Sequence, residues 1–151
     1  MLEKVFGEKI ADIVYHDRLG AYAVLIDGEK IAVTRTRGGK IFLPGGKIEQ
    51  DETDEECLIR ECMEEMGIKV SIKEFMAIGE RYFYLESNNQ YSHPIAHFYY
   101  CDEYEKVSEP LEKGSEYMWM NYKEAIKQLY HPHHSWAAEM IWNLAQKRRF
   151  S

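Results

Sequence analysis

The sequence predicts an α/β domain in which a mixed β-sheet packs between helices. Three observations lead there. Stretches rich in β-branched and aromatic residues lie on both sides of one central amphipathic helix, two further helical patterns close the chain, and no repeat or linker interrupts its 151 residues. One domain, 1–151, is therefore expected, with roughly two-thirds of its unfolded surface buried.

The first strand signal covers 20–27 (GAYAVLID), where the Asp27-Gly28 turn leads into a second over 30–36 (KIAVTRT). After the loop 37–40, the short apolar piece Ile41-Phe42-Leu43 is stopped by Pro44-Gly45-Gly46. A helix starts near Thr53, which forms a capping-box pattern with Glu56. Leu58, Cys62 and Met66 give it one buried stripe, and Gly67 ends it. The segment 68–87 reads as two strands broken near Gly79, and Asn88-Asn89 turns the chain into a strand over 94–104. After a loop at 105–116 come a short strand at 117–120 and a helix capped by Asn121 and Glu124 that runs to about Leu129. The last helix runs from about Pro132 to Lys147, with Trp136, Met140 and Leu144 on one face.

Composition narrows the function classes. Hydrophobic residues make up 45% and charged residues 30% of the chain, ordinary for a globular protein. No apolar run approaches the roughly 20 residues that span a bilayer, and the opening MLEKVFGEKIADIVYHD lacks a signal-peptide core. Cys57, Cys62 and Cys101 form no CxxC pair and read as reduced, packed thiols. A cytoplasmic protein with no membrane partner is expected. A net charge of −7 argues against a non-specific nucleic-acid binder.

That charge is concentrated. Residues 46–68 carry nine carboxylates against Lys47 and Arg60, so this segment alone has the −7 of the whole chain. Charge runs usually form a solvated helix face. Here Glu61, Glu64 and Glu65 stand at i, i+3 and i+4, where like charges cost a few tenths of a kcal/mol each. A cation between them explains the spacing better, and hard oxygen ligands favour Mg²⁺, with Mn²⁺ as a substitute. An EF-hand loop starting at Asp51 fails, because its sixth and twelfth positions are Glu56 and Cys62.

Gly46-x5-Glu52-x7-Arg60-Glu61-Cys62-x-Glu64-Glu65-x-Gly67-Ile68 resembles the complete Nudix box, with Cys62 at a position usually held by a bulkier apolar residue. The resemblance covers about a sixth of the chain. It implies a Nudix-like α/β/α sandwich with a loop–helix–loop catalytic motif. It also implies hydrolysis of a pyrophosphate bond in a nucleoside diphosphate linked to another group. It makes Glu61, Glu64 and Glu65 metal ligands, gives Gly45 a ligand role through its carbonyl, and pairs Glu52 with Arg60 to hold the loop. Bound Mg²⁺ would reverse the local charge and activate water. The family's substrates include nucleoside triphosphates, dinucleoside polyphosphates, nucleotide sugars and RNA 5′ ends, which the box does not separate; it also allows a homodimer. The rival reading, a non-catalytic nucleotide-sensing module, is disfavoured by the presence of all three glutamates.

Outside the box, Arg35, Arg37 and Lys47 are candidate phosphate contacts. Arg35 shares a strand face with Ile31 and Val33. Tyr84 lies at a distance from the box associated in this family with dinucleoside polyphosphate substrates. Glu112 and Glu116 are candidates for a further metal carboxylate, although ordinary loop acids are the commoner case. His131, His133 and His134 lack the fourth partner of a structural zinc site and read as structural, with substrate contact as the minority reading.

Overall fold

A computed structural model describes residues 2–114 and 116–149. Among them are nine strands, β1 (Leu2–Phe6), β2 (His16–Asp27), β3 (Lys30–Arg35), β4 (Ile41–Phe42), β5 (Gly45–Lys47), β6 (Ile68–Arg81), β7 (Phe83–Leu85), β8 (Gln90–Lys106) and β9 (Glu116–Asn121). The helices are α1 (Asp54–Met66), α2 (Tyr122–Gln128) and α3 (Pro132–Arg149). The strands run in the order β1-β6-β8-β2-β3-β4, with β5 added to β2, β7 to β8 and β9 to β3. The pairs β1–β6 and β2–β8 are parallel and the others antiparallel, so the sheet is mixed.

Strand alternation sorts the core onto two faces. Ala21, Ala23 and Leu25 of β2 join Cys57, Leu58, Cys62 and Met66 of α1 on one side. Their neighbours Tyr22, Val24 and Ile26 join Ala137, Ala138, Ile141 and Trp142 of α3 on the other. The result is the expected three-layer sandwich.

Helix α1 carries the capping box anticipated from its sequence. Thr53 Oγ1 accepts from the Glu56 backbone N–H at 3.1 Å, and Glu56 Oε1 accepts from the Thr53 N–H at 3.0 Å. Gly67 ends the helix in the left-handed region at φ 65°. The Glu64 carbonyl, orphaned at that end, accepts the backbone N–H groups of Leu111 and Glu112 at 2.9 and 2.8 Å. All three cysteines are free and buried.

Several elements differ from the sequence expectation. β1 carries too short a pattern to be noticed and exists through its pairing with β6. β2 begins at His16 because parallel pairing with β8 extends it into exposed residues. β6 is continuous through Gly79, its irregularities being register shifts between residues 71 and 77. The break comes at Tyr82, between β6 and β7. β8 starts at Gln90 and runs through Pro94, tolerated where the ladder passes from β7 to β6. Asn121 does cap α2 through the Lys123 N–H, but Glu124 bonds Gln128 instead of reaching back. The most deeply buried face of α3 is His133, Ala137, Ile141 and Ala145 with their neighbours, and Trp136, Met140 and Leu144 flank it.

Candidate active site

The loop before α1 and the helix itself form one charged unit. Arg60 donates from Nε to Glu52 Oε2 at 2.7 Å and from Nη2 to Glu52 Oε1 at 2.9 Å, a bidentate pair. The same guanidinium reaches Glu61 at 2.9 Å, Glu64 at 3.4 Å and the Lys47 carbonyl at 3.2 Å. Arg60 bonding and the Glu49 N–H hold the Glu52 carboxyl down at about 2. The sole base of α1 thus offsets part of the repulsion among its acids and ties the loop to the helix.

Glu65 is placed differently. The residue is half-buried, its carboxyl accepts one backbone N–H, from Gly45 at 2.9 Å, and no base pairs with it among the described residues. Burial pushes it well above the usual carboxylate range, and the charges of Glu61, Glu112 and Glu64 add to the rise. Burial also raises Glu61, with Arg60 opposing. Gly45 has φ 142°, where a Cβ would stand 2.1 Å from the Ala21 carbonyl oxygen. At Gly46 a Cβ would come within 2.7 Å of the Glu61 carboxyl. Only glycine leaves room for the carboxylates to sit against this loop.

A cleft of about 260 Å³ opens at this point. Glu65 and Glu112 line it together with Gly45, Gly46, Arg35 and Arg18. Glu112 arrives because its own backbone N–H is bound by the Glu64 carbonyl. Four carboxylates, Glu61, Glu64, Glu65 and Glu112, therefore share one field. Among the described residues no three His, Cys, Asp or Glu side chains form a ready-made cation cage. Arg60 occupies the place of a cation for Glu61 and Glu64. The residues nevertheless fit a hard divalent ion: the donors are carboxylate oxygens, and Glu65 is half-buried with no charge partner among the described residues.

The other sequence candidates divide. Arg35 follows Ile31 and Val33 on one face of β3 and reaches the cleft. Arg37 is exposed and is not among the lining residues; its guanidinium lies against Gly114, where a Cβ would meet Nε at 2.5 Å. Lys47 lines a second, adjoining cleft. Tyr84 lines neither cleft: Phe83 and Leu85 face the second one, so alternation turns Tyr84 away, onto Tyr91 and Asn89. Glu116 sits opposite Arg35 in the sheet and stays exposed, outside the cleft.

The three histidines are core residues with one exception at the rim. His134 is buried, and its Nδ1 accepts the Leu43 N–H at 3.3 Å, bracing the chain just before Gly45. His133 is buried with no partner at either ring nitrogen among the described residues. His131 lines both clefts and lies 3.2 Å from an Arg81 nitrogen. Burial drives all three down, His131 to about 2 and His133 to about 3, so they are neutral near pH 7.

Arg18, Tyr22 and Phe42 also line the cleft. Arg18 precedes the apolar run by which β2 was recognised, so only the β2–β8 pairing reveals it. A wider cleft of about 590 Å³ lies between Asp27, Lys73, Tyr100 and the end of α3. It contains a matched Lys73–Asp102 ion pair and shares no residue with the acidic loop and helix, so the smaller cleft is the better active-site candidate.

Residues 16–144 match the family model of the NUDIX domain. A MutT-like protein of Streptomyces ambofaciens is 42% identical over 52 residues, a stretch covering 34% of this chain and 34% of that protein. Many solved structures share the fold, two of which illustrate the likeness. The dihydroneopterin triphosphate pyrophosphohydrolase of E. coli superposes with a TM-score of 0.68 at 15% identity, covering 84% of this chain and 96% of the other. The mutator MutT protein of Bacillus halodurans gives 0.66 at 21%, covering 81% and 80%. No helix among the described residues is long and apolar enough to cross a membrane.

Proposed function

Because the chain belongs to the NUDIX domain family, we propose that it hydrolyses a pyrophosphate bond in a nucleoside diphosphate linked to another group, with Mg²⁺ as cofactor and Mn²⁺ as a substitute. The observation that carries this reading is the half-buried Glu65 carboxyl, without a basic partner among the described residues, lining one cleft with Glu112 and Arg35. Acids alone would repel a polyanion, and an arginine alone would not need them.

Glu61, Glu64 and Glu65, with the Gly45 carbonyl, would hold the ion, and Glu112 would join them. When bound, a divalent ion supplies charge neutralisation at phosphate and a more acidic water. Glu52 and Arg60 keep the loop against the helix, so the carboxylates stay aimed at the cleft. Arg35 would meet the charge that builds on phosphate oxygens as the anhydride opens. Glu65 and Glu112, the two carboxylates lining the cleft, are the candidates to take the proton of the attacking water. Buried thiols suit a reducing compartment, and the proposed location is cytoplasmic.

Phosphate and pyrophosphate release from nucleoside triphosphates, dinucleoside polyphosphates and nucleotide sugars, with and without Mg²⁺, tests this directly. Metal-dependent turnover that collapses in Glu65→Gln is expected. No turnover anywhere in the panel, together with a ligand-induced rise in melting temperature, would replace it with the nucleotide-sensing reading.

A further inference from the structure

The carboxylate cleft continues into a neighbour, since Arg18, Phe42 and His131 line both. The second cleft, about 370 Å³, is within the roughly 300–1,000 Å³ usual for small-molecule sites. Its three chemical surfaces are separate.

The first is aromatic. Phe42 and Phe83 both meet Tyr130 edge-to-face, with centroids 5.8 and 6.4 Å apart. Cations brace these rings: the Arg81 guanidinium lies 3.9 Å from the Phe83 centroid, and Lys40 Nζ lies 4.3 Å from that of Tyr130. All three rings remain half-buried, which leaves ring surface for a planar ligand. The second is cationic. Arg18, Lys40 and Lys47 line the cleft, and none forms an ion pair among the described residues. The lining acid, Asp17, is already engaged by His93 at 2.8 Å. The third is polar: Asn88, Gln90 and Ser92 line the cleft with side chains that make no hydrogen bond among the described residues.

We propose that this second cleft seats a nucleobase, and that the substrate is a nucleoside triphosphate or longer nucleoside polyphosphate whose phosphates run past Arg18, Lys40 and Lys47 to Glu65 and Glu112. The placement of the scissile bond rests on the hydrolase reading above; the base seat does not. Ring surface takes the flat heterocycle, and free amide and hydroxyl groups meet its edge. Three unmatched cations suit a more heavily charged chain than the two phosphates of a nucleotide sugar.

The test compares kcat/KM for ATP, GTP, UDP-glucose and inorganic tripolyphosphate with Mg²⁺, in the wild type, Phe83→Ala, Phe83→Tyr and Lys47→Ala. Lys47 is exposed, so its variant keeps the fold. The wild type should prefer a nucleoside triphosphate to tripolyphosphate. Phe83→Ala should reduce that preference roughly five- to 150-fold, mainly through KM, and Phe83→Tyr should restore it. Lys47→Ala should weaken the triphosphate more than UDP-glucose. Equal use of headed and headless triphosphate, a preference for UDP-glucose, or an unchanged ratio in Phe83→Ala would overturn the proposal. If no anhydride is cut, the hydrolase reading fails, and calorimetric binding of a β,γ-methylene nucleoside triphosphate decides the base seat. Weaker binding to Phe83→Ala and Lys47→Ala supports the seat, and equal binding overturns it.

Discussion

His133→Leu should stabilise this protein, and by more in acid than at neutral pH. The ring is fully buried and neither nitrogen finds a partner among the described residues. A buried donor or acceptor left unsatisfied costs about 1–3 kcal/mol, while an apolar group of similar shape avoids that cost. Leucine fills less of the space beside Phe98 and Gly79, so a net gain near 1 kcal/mol is expected at pH 7.5.

The pH dependence is the stronger test. Burial, helped by the Arg81 charge, lowers the His133 imidazole from 6.5 to about 3. Between those values the unfolded chain binds a proton that the folded chain refuses, so stability is fully present above pH 6.5 and falls as pH drops. The slope for one such group is about 1.4 kcal/mol per pH unit. Two units below 6.5, at pH 4.5, the wild type has lost about 3 kcal/mol through this residue, and the leucine variant has not. The advantage of His133→Leu should therefore grow from about 1 to about 4 kcal/mol. Urea unfolding followed by circular dichroism at pH 7.5, 6.5, 5.5 and 4.5 measures it. Glu61 and Glu65, whose raised carboxyls act in the opposite sense, are common to both proteins and largely cancel in the difference. A difference that stays constant with pH would refute the argument that His133 is buried neutral.

Three further outcomes are expected. Thr53→Ala removes the side chain that accepts the Glu56 N–H, and should cost about 1 kcal/mol in urea unfolding. Glu65→Gln replaces a half-buried carboxyl, set among the charges of Glu61, Glu112 and Glu64, with a neutral amide, so the metal-free melting temperature should rise while the stabilisation by millimolar Mg²⁺ disappears; scanning calorimetry with and without Mg²⁺ reads both. Gly46→Ala places a methyl 2.7 Å from the Glu61 carboxyl, and should weaken Mg²⁺ binding in a metal titration far more than it changes fold stability, because a flexible carboxylate yields before backbone does.

The acidic half of the site was legible because its chemistry is local. Spacing along one helix fixes where Glu61, Glu64 and Glu65 emerge, and Thr53, Glu56 and Gly67 mark the helix ends by rules that act within a few residues. The burial that raises Glu65 was not legible, since it comes from Gly45 and Gly46 lying against β2, on the far side of a loop. Glu112 shows the limit well. Nothing in its own sequence separates it from Glu116, and only the orphaned Glu64 carbonyl, which captures the Glu112 backbone, brings one of the two to the cleft.

The substrate half is non-local throughout. Arg18, Phe42, Phe83 and Tyr130 come from β2, β4, β7 and the turn before α3, and meet because of pairings no single segment encodes. Tyr84 makes the point in reverse. Sequence distance from the box singled it out, yet the register of β7 on β8 turns it away and gives the cleft to Phe83. A one-residue shift in that three-residue strand would exchange the two rings. The reaction therefore resides in a motif that can be read along the chain, whereas substrate choice depends on strand register, which becomes visible only once the sheet is assembled.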